Sequence, residues 1–270
     1  IAGNGLVVGS FSPTALETHL PYNPSDKREI CSSLQIRNNI FTDVTNEDWG
    51  CVAIAAGYVK NTMIEHNDIS NVSYSGISLG WGWNRNINDM QNNNVTANHI
   101  YYYARNNYDV AAIYTLGAQP KTVISENYIH DIYAPGYVHS PQHWFYLYTD
   151  EGSSFITVKN NWVSAEKFLQ NANGPNNVWE NNNEYVNDSI KMNAGLQPSF
   201  RYLLENIQPT GKLQEIPHFA ALEFIGNNID TAKIMTTARM NGVIKPQLYK
   251  WNNRTVLYAK MNHVETLKTV

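Results

Sequence analysis

Acidic side chains stand at the ends of two apolar, strand-like segments of the sequence. Asp109 precedes the segment 111–117, and Asp150 and Glu151 close the aromatic segment 144–149. Two carboxyl groups that lie close together can protonate a leaving oxygen and attack carbon or activate a water molecule. The aromatic surroundings should partly desolvate Asp150, which raises its pKa toward use as a general acid. Taken alone, Asp109 would be interpreted as a turn former.

Two tryptophans are candidates for binding a sugar ring. Trp81 and Trp83 alternate with glycines in the segment 76–86, so both indoles should face the same side. Paired indoles offer apolar faces on which the C–H groups of a sugar can stack. The alternative is that both rings pack beneath a neighbouring loop, and the sequence leaves these two interpretations open.

Histidines and further aromatic residues complete the candidate binding set. His139 and His143 crowd one loop, but this spacing outside a helix, without an evident third ligand, is a weak metal signal. We therefore predict no metal and no cofactor. His130 could orient a carboxylate or bind a hydroxyl, or it could simply cap a turn. The predicted substrate-binding residues are Trp81, Trp83, His130, His143, Trp144 and Tyr114.

The composition narrows the class of protein. The 270 residues carry 19 basic and 23 acidic side chains, so no basic excess is available for binding nucleic acid. No run approaches the roughly eighteen apolar residues of a membrane span, and an aromatic content of 12% argues against disorder. Cys31 and Cys51 could pair in an oxidising compartment, but two small buried side chains are the preferred interpretation.

An internal repeat is the clearest structural signal in the sequence. Phrases of eleven residues that begin at residues 34, 62, 93, 122 and 156 share the pattern apolar-x-x-Asn-x-apolar. Short strands that recur about every thirty residues predict a solenoid whose successive coils pair in parallel. The repeated asparagines are Asn39, Asn67, Asn98, Asn127 and Asn161, and a sixth, degenerate copy centres on Asn183.

The predicted fold class is all-β, a right-handed single-stranded parallel β-helix over residues 1–205 with the repeats clearest in 30–190. The asparagine at each bend should tolerate left-handed backbone and bond the equivalent asparagine above and below it. The Ile or Val two places later should fill the interior. A β-propeller is disfavoured because its blades need antiparallel hairpins, and the repeats lack tight Asn-Gly or Asp-Gly turns.

The rhythm of the repeat ends after residue 190. The segment 193–207 predicts a capping turn and a short helix with Pro198 near its start. Residues 206–270 are of uncertain structure: HFAALEFI and TAKIMTTARMNG permit a helix, and TVLYAKM is strand-like. A short mixed C-terminal cap is the expected role of this region, since a solenoid needs its ends covered.

Three phrases in order, GISLGWGW, AAIYTLGAQP followed by ISENYIHDI, and LYTDEGSS, resemble the right-handed β-helix glycoside hydrolases of family 141. The resemblance covers roughly residues 1–205 and includes AGLQPSFRYLL, which resembles the segment that closes the β-helix in those proteins. It implies hydrolysis of complex plant-type polysaccharides, of the α-L-fucosidase or xylanase kind, by two aspartates on neighbouring coils. These map onto Asp109 and Asp150, with Asp150 as the acid and Asp109 as nucleophile or base.

The same resemblance sets expectations for the whole protein. The fuller members of that family are longer, so we expect this chain to be a piece of a secreted or periplasmic protein. Its partner should be a polysaccharide or oligosaccharide substrate, with no nucleic acid and no membrane involved. We expect it to be a monomer.

Strand alignment raises a difficulty for the pair of aspartates. The strands within 111–117 and 144–149 lie equally far from their repeated asparagines, so they should align without a gap. Asp109 then falls beside His143, and the seven extended residues from there to Asp150 span about 23 Å. The pairing holds only if the chain before the first strand turns a corner and brings Asp109 back over the groove.

Other pairings and other functions stay open at this point. Glu151 with Asp150, or His143 with Asp109, would replace the pair if no such corner exists. A polysaccharide lyase or uronate epimerase would need a basic or phenolic proton acceptor, whereas a non-catalytic carbohydrate-binding β-helix would need none. The available acceptors are Arg85, Arg105, Lys121 and Tyr148.

Overall fold

The computed structural model describes residues 3–45 and 47–205, and the backbone of three strands nearer the C-terminus, 218–225, 244–251 and 254–261. The chain forms two compact units, Ile1–Arg201 and Tyr202–Val270. The first unit ends close to residue 205, where the sequence predicts the end of the β-helix domain.

Three parallel sheets build the first unit, and the strands of each sheet pair in chain order. Successive turns of the chain therefore stack along one axis as a parallel β-helix, as predicted. Sheet 1, in the described residues, contains Leu6–Val8, Ile54–Ala56, Ile77–Leu79, Val110–Thr115, Trp144–Thr149 and Phe168–Gln170. Sheet 2 likewise contains Gln35–Arg37, Met63–Glu65, Asn94–Thr96, Ala118–Ser125, Ser154–Lys159 and Val178–Glu180. Sheet 3 contains Ile40–Thr42, Asp68–Ser70, His99–Tyr103, Tyr128–Ile132 and Trp162–Val163. A separate two-stranded sheet pairs Cys31–Ser32 with Val59–Lys60.

A ladder of asparagine amides joins the coils at the turn between sheets 2 and 3. Asn67, Asn98, Asn127 and Asn161 are completely buried. The Oδ1 of Asn98 accepts from the backbone N–H and the Nδ2 of Asn67, at 3.1 and 2.9 Å, and the other ladder positions repeat this pattern. A buried amide is costly unless its hydrogen bonds are made. The asparagine repeat in the sequence therefore reflects a continuous column of hydrogen-bonded side-chain amides.

The left-handed residue of each turn precedes the ladder asparagine. Asn38, His66, Ala97, Glu126 and Asn160 have φ values between 53° and 57°. The prediction that the ladder asparagine itself adopts left-handed backbone is therefore wrong. Its amide is needed for hydrogen bonds along the column, while the residue before it makes the bend and can be of several types.

The sixth ladder position is Asn182 rather than Asn183. Asn182 is 7% exposed, and its Oδ1 accepts from the Nδ2 of Asn161 at 2.7 Å. Asn183 instead accepts from the backbone N–H groups of Tyr185 and Val186 in the next turn. Three consecutive asparagines occupy 181–183, so residue type alone does not distinguish the ladder position from its neighbours.

The interior of the β-helix is a stack of aliphatic side chains. Ile69, Ile100, Ile129 and Val163, each two places after a ladder asparagine, are fully buried, as predicted. They belong to one core with the inward residues of sheet 1, such as Ile77. Each of these residues therefore contributes about 1.5–3 kcal/mol through burial.

The two cysteines are placed differently: Cys31 packs against that stack, and Cys51 does not belong to it. Cys31 and Cys51 are half-buried and unpaired. The coils are accordingly held by the ladder and the core, without a disulfide between these two residues.

The segment after the last coil runs along the row of turns. It contains the α-helix Ser189–Asn193 and the 3-10 helix Pro198–Phe200, which begins at the predicted proline. Between these two helices, the Gly195 N–H donates to the Ala97 carbonyl, and Gln197 exchanges two hydrogen bonds with Asn38. The segment thus contacts turns of early coils, whereas the sequence predicts that it closes the end of the solenoid. The other 3-10 helices in the described part of the unit are Glu17–His19 and Lys27–Glu29.

The second unit contains the α-helix Tyr202–Glu205 and an antiparallel sheet of His218–Ile225, Arg254–Met261 and Ile244–Trp251, in that spatial order. HFAALEFI, which permits a helix by its sequence, forms a strand instead, because all eight of its residues pair with Arg254–Met261 and this pairing overrides local propensity. TVLYAKM lies in a strand, as its pattern indicates. TAKIMTTARMNG falls outside the described residues. In the part of the chain that the structure describes, no helix has the length and apolar character to span a membrane.

Candidate active site

Asp109 and Asp150 flank two neighbouring strands of sheet 1. Val110 pairs with Trp144 in this sheet, so Asp109 lies beside His143, as the alignment predicts. The Asp109 N–H donates to the His143 carbonyl at 2.6 Å, and the Asp150 N–H donates to Thr115. The two aspartates thus start from opposite ends of adjacent strands.

The strands bend between these ends. Asp109 has a left-handed backbone with φ of 56°, which supplies the corner that the sequence requires before the strand. Ala112 and Ile113 both belong to the inner core, so the in-out alternation of an extended strand breaks there. Ala111 and Tyr148 pack together on the outer face. The bend brings both aspartates toward the same outer surface.

The hydroxyl of Tyr148 lies near both carboxyl groups. It is close enough to Asp150 and to Asp109 for both carboxylates to oppose its ionisation. Burial, followed by the negative charges of these two aspartates, raises the pKa of Tyr148 far above its usual range. The Tyr74 hydroxyl, which donates to the Asp109 carbonyl, is likewise influenced by both aspartates, so the two acids lie on the same outer surface. Two carboxylates about 5–9.5 Å apart can act on one glycosidic bond.

Asp150 is held by a hydrogen-bond donor on each oxygen. The Tyr114 hydroxyl donates to Oδ2 at 2.6 Å, and Asn171 Nδ2 donates to Oδ1 at 2.7 Å. Burial, then the hydrogen bond to Asp150, raises the pKa of Tyr114 far above its usual range, so this phenol remains a donor. With both oxygens accepting, the arrangement fits an ionised carboxylate whose orientation is fixed.

Asp109 is more open to solvent. Its Oδ1 lies 3.1 Å from Nε2 of His143, and the two side chains are 51% and 40% exposed. The Tyr74 hydroxyl donates to the Asp109 carbonyl at 2.7 Å. Burial, then the charges of Asp109 and Asp150, raises the pKa of Tyr74 to about 12. Asp109 is thus anchored through its backbone, while its carboxyl group is accessible from solvent.

Trp81 and Trp83 lie side by side, with ring centroids 5.7 Å apart. Their loop touches the turn after Asp150, since a Cβ added at Gly152 would lie 2.9 Å from the Trp83 carbonyl carbon. Phe11 packs edge-on against Trp81, and the backbone N–H of Trp83 donates to the backbone carbonyl of Thr18 at 2.7 Å. The indoles are covered on one side by the N-terminal loop and remain half-exposed. The two interpretations left open by the sequence, packing beneath a loop and an exposed surface for a sugar, therefore each apply in part.

Other predicted site residues lie elsewhere. Glu151 is exposed beyond the strand end. Trp144 packs against the inner core, and the Lys167 ammonium lies 3.8 Å from its ring centroid, so its indole does not join the outer cluster. His130 belongs to sheet 3, a different sheet from that of the aspartates. Among the described residues, no group of three or more His, Cys, Asp or Glu side chains could hold a metal ion.

Three residues of the cluster are absent from the glycosidase site predicted from the sequence. They are Tyr74, Asn171 and Tyr148, the last of which the sequence offers only as a proton acceptor for a lyase or epimerase. Tyr74 precedes a strand without any motif, so only its contact with Asp109 identifies it. Asn171 follows the strand Phe168–Gln170, which pairs with Trp144–Thr149 and so places Asn171 beside Asp150. Alignment from the correct ladder asparagine, Asn182, would have found it.

Neither a protein-family model nor a curated protein matches the chain. A solved structure titled "Glycoside hydrolase" matches 75% of this chain at 63% sequence identity with a TM-score of 0.73. The match covers 34% of that structure's own chain, so the present chain spans about a third of the protein that it matches. The predicted resemblance to a β-helix glycoside hydrolase is confirmed by this similarity, whereas family 141 stays a prediction.

Proposed function

We propose that the chain is the β-helix part of a glycoside hydrolase and that Asp109 and Asp150 are its catalytic carboxylates. The observation that carries the proposal is the position of both aspartates in one cluster of tyrosines, where Tyr74 donates to Asp109, Tyr114 donates to Asp150, and Tyr148 lies near both carboxyl groups. The similarity to a solved glycoside hydrolase supports the same reaction class. Fold alone would not, because β-helices serve many activities.

The hydrogen bonds support roles opposite to those expected from the sequence. Asp150 accepts a donor on each oxygen, which suits a carboxylate that stays ionised and acts as nucleophile or base. Asp109 lies at the exposed edge beside His143, where it can take a proton from solvent and deliver it. Asp109 is therefore the proton donor in this proposal.

The reaction follows from these two positions. Asp109 gives its proton to the glycosidic oxygen as the bond from that oxygen to the anomeric carbon breaks. Asp150 either bonds to the anomeric carbon, with water later releasing the sugar, or removes a proton from a water that attacks directly. The net change is addition of one water across the bond. Trp81 and Trp83 would stack against a neighbouring sugar of the substrate.

The substrate class proposed is a complex plant-type polysaccharide carrying α-L-fucosyl or xylosyl units. This choice rests on the phrases GISLGWGW, AAIYTLGAQP and LYTDEGSS, which resemble family 141. Such a substrate places the working site of the protein outside the cell or in the periplasm.

Proton abstraction by a lyase or epimerase finds less support. The acceptor closest to the aspartates, Tyr148, has a raised pKa, whereas a phenolic base needs a lowered one. Arg105 lies 3.3 Å from Asp43, Lys121 belongs to sheet 2, and Arg85 donates to the Asn173 carbonyl at 3.3 Å. Arg105 and Arg85 thus have partners other than the two aspartates, and Lys121 lies on a different sheet.

The test is release of reducing sugar from a panel of aryl α-L-fucosides, xylan and fucosylated plant polysaccharides. Asp150→Asn and Asp109→Asn should each lower turnover about a thousandfold or more. Asp188→Asn is the matched control, because that side chain is 85% exposed. NMR of the first product anomer then assigns Asp150 as nucleophile or as base.

Two results would contradict the assignment. Full turnover by Asp150→Asn, with the wild type active, would remove Asp150 from the mechanism. Loss of activity in Glu151→Gln, with Asp109→Asn still active, would instead identify Asp150 and Glu151 as the pair. Unchanged melting temperatures in all variants show that the effects are chemical.

A further inference from the structure

A chain of four titratable side chains crosses sheet 3, away from the proposed active site. Nδ1 of His99 lies 2.9 Å from Asp68 Oδ2, and Nδ1 of His130 lies 2.8 Å from Asp131 Oδ2. The two Nε2 atoms face each other at 2.8 Å. His99 and His130 come from neighbouring strands, so the contact joins successive coils.

The number of N–H hydrogens needed by this row of four side chains fixes the charge of the two imidazoles. Each of the three contacts needs one hydrogen, because ionised carboxylates only accept. Two neutral imidazoles carry two N–H hydrogens, which leaves one contact without any. The arrangement is satisfied when the imidazoles together hold three, and therefore one positive charge.

A metal ion does not fit between the rings. Zinc–nitrogen bonds of about 2.0–2.1 Å at a tetrahedral angle would hold two nitrogens about 3.4 Å apart. The observed separation of 2.8 Å is that of a nitrogen–nitrogen hydrogen bond. The particle that suits this gap is a proton.

We propose that His99 and His130 hold a single proton between neighbouring coils, and that uptake of a second proton breaks the hydrogen bond between their Nε2 atoms. With one proton, the Nε2–H of His99 donates to the bare Nε2 of His130. With two, both Nε2 atoms carry hydrogen and repel at this distance. The face of the β-helix formed by sheet 3 is thereby sensitive to acid, independently of any glycosidase activity.

The surroundings favour the singly protonated form. Asp68, 3% exposed, supplies the counter-charge next to His99 and also accepts from the Tyr101 hydroxyl. Burial lowers the pKa of His130, more than its hydrogen bond to Asp131 raises it, and the charge of His99 lowers it further. The groups that face the pair are Asp68 and Tyr101, Tyr128 and Asp131, and, from the segment along the turns, Lys191.

The sign of the effect follows from the lowered pKa of His130. In the unfolded chain an ordinary histidine takes up its proton near pH 6.5. The folded chain resists this second proton, so stability is lost as the pH falls below about 6.5. His130→Gln keeps an acceptor for His99 in the same place but cannot be protonated, so it should remove this loss.

The test compares melting temperatures of the full chain between pH 7.5 and 5.0. We expect the wild type to lose about 2–4 °C more than His130→Gln over this range. His139→Gln, which removes an exposed histidine, should behave as the wild type. Nitrogen-15 NMR of the wild type at pH 7 should show three N–H groups on the His99 and His130 rings together.

Equal acid losses in the wild type and His130→Gln would overturn the proposal. So would NMR spectra with two neutral rings, a result that does not depend on whether the variant folds. A melting temperature at pH 7.5 that falls when a chelator is added to the wild type, but not to His130→Gln, would show a metal ion in the gap and overturn it as well.

Discussion

The hydroxyl of Tyr148 lies near both acidic groups on the outer surface of sheet 1. Burial and both aspartates keep it protonated, since they raise its pKa far above the usual range. A neutral phenol can donate to whichever carboxylate is ionised at each stage of the reaction. Tyr148 is therefore a positioning residue that follows the movement of the proton between the two acids.

Tyr148→Phe tests this role directly. Loss of a hydrogen bond to a charged group is worth about 1.5–3 kcal/mol, so kcat should fall about tenfold or more while KM changes little. The matched control is Tyr146→Phe, because Tyr146 lies on the same strand but belongs to the inner core. Steady-state kinetics on an active glycoside provides the measurement, and equal kcat values in the two variants would contradict the role.

The asparagine ladder is the element that sets the spacing of every coil, including those that carry Asp109 and Asp150. Its amides are buried and bonded to their neighbours in both directions, as in the Asn67, Asn98 and Asn127 sequence of contacts. Removal of one amide leaves donors of the previous coil without an acceptor. The ladder thus contributes to stability through the cost of breaking it.

Asn98→Ala should lower the free energy of unfolding by about 2–4 kcal/mol, because it leaves the buried backbone N–H and Nδ2 donors of Asn67 without their acceptor. Asn86→Ala serves as the control because Asn86 is exposed. Urea unfolding followed by circular dichroism gives both values. A loss below about 0.5 kcal/mol for Asn98→Ala would show that water replaces the missing amide.

The same ladder explains how far the sequence predicts this molecule. Apolar residues two places after each asparagine, such as Ile100, reveal strands and an interior because burial requires that spacing. The bend that brings Asp109 toward Asp150 has no comparable signal, since it arises from one left-handed residue and a break in alternation. Such features depend on packing against neighbouring coils and are not encoded in local residue types.

A shift of one residue accounts for the missed partner of Asp150. With Asn182 as the ladder residue, Phe168 lies fourteen positions before it, as Leu147 lies before Asn161. Asn171 then aligns with Asp150, as the strand pairing has it. With Asn183, the alignment moves by one place, and in a strand that turns every side chain to the opposite face.

At the scale of the whole molecule, stability is distributed along a stack in which each coil contacts mainly its neighbours. Two half-buried tyrosines lie at separate places on that stack, Tyr74 before a strand of sheet 1 and Tyr101 on sheet 3. Burial, assisted by nearby carboxylates, raises the pKa of both Tyr74 and Tyr101 to about 12. Ionisation of these two phenols therefore limits the stability of the β-helix at alkaline pH.

Alkaline unfolding should reveal this constraint. An ordinary tyrosine ionises near pH 10, so above that pH the unfolded chain loses protons that the folded chain keeps. Because the folded pKa is the higher one, the stability is fully present below pH 10 and is lost as the pH rises toward 12. For Tyr74 the loss approaches about 2 kcal/mol. Urea unfolding at pH 8 and 11.5 should show a smaller loss for Tyr74→Phe than for wild type or the exposed-site control Tyr185→Phe, and equal losses in all three would refute it.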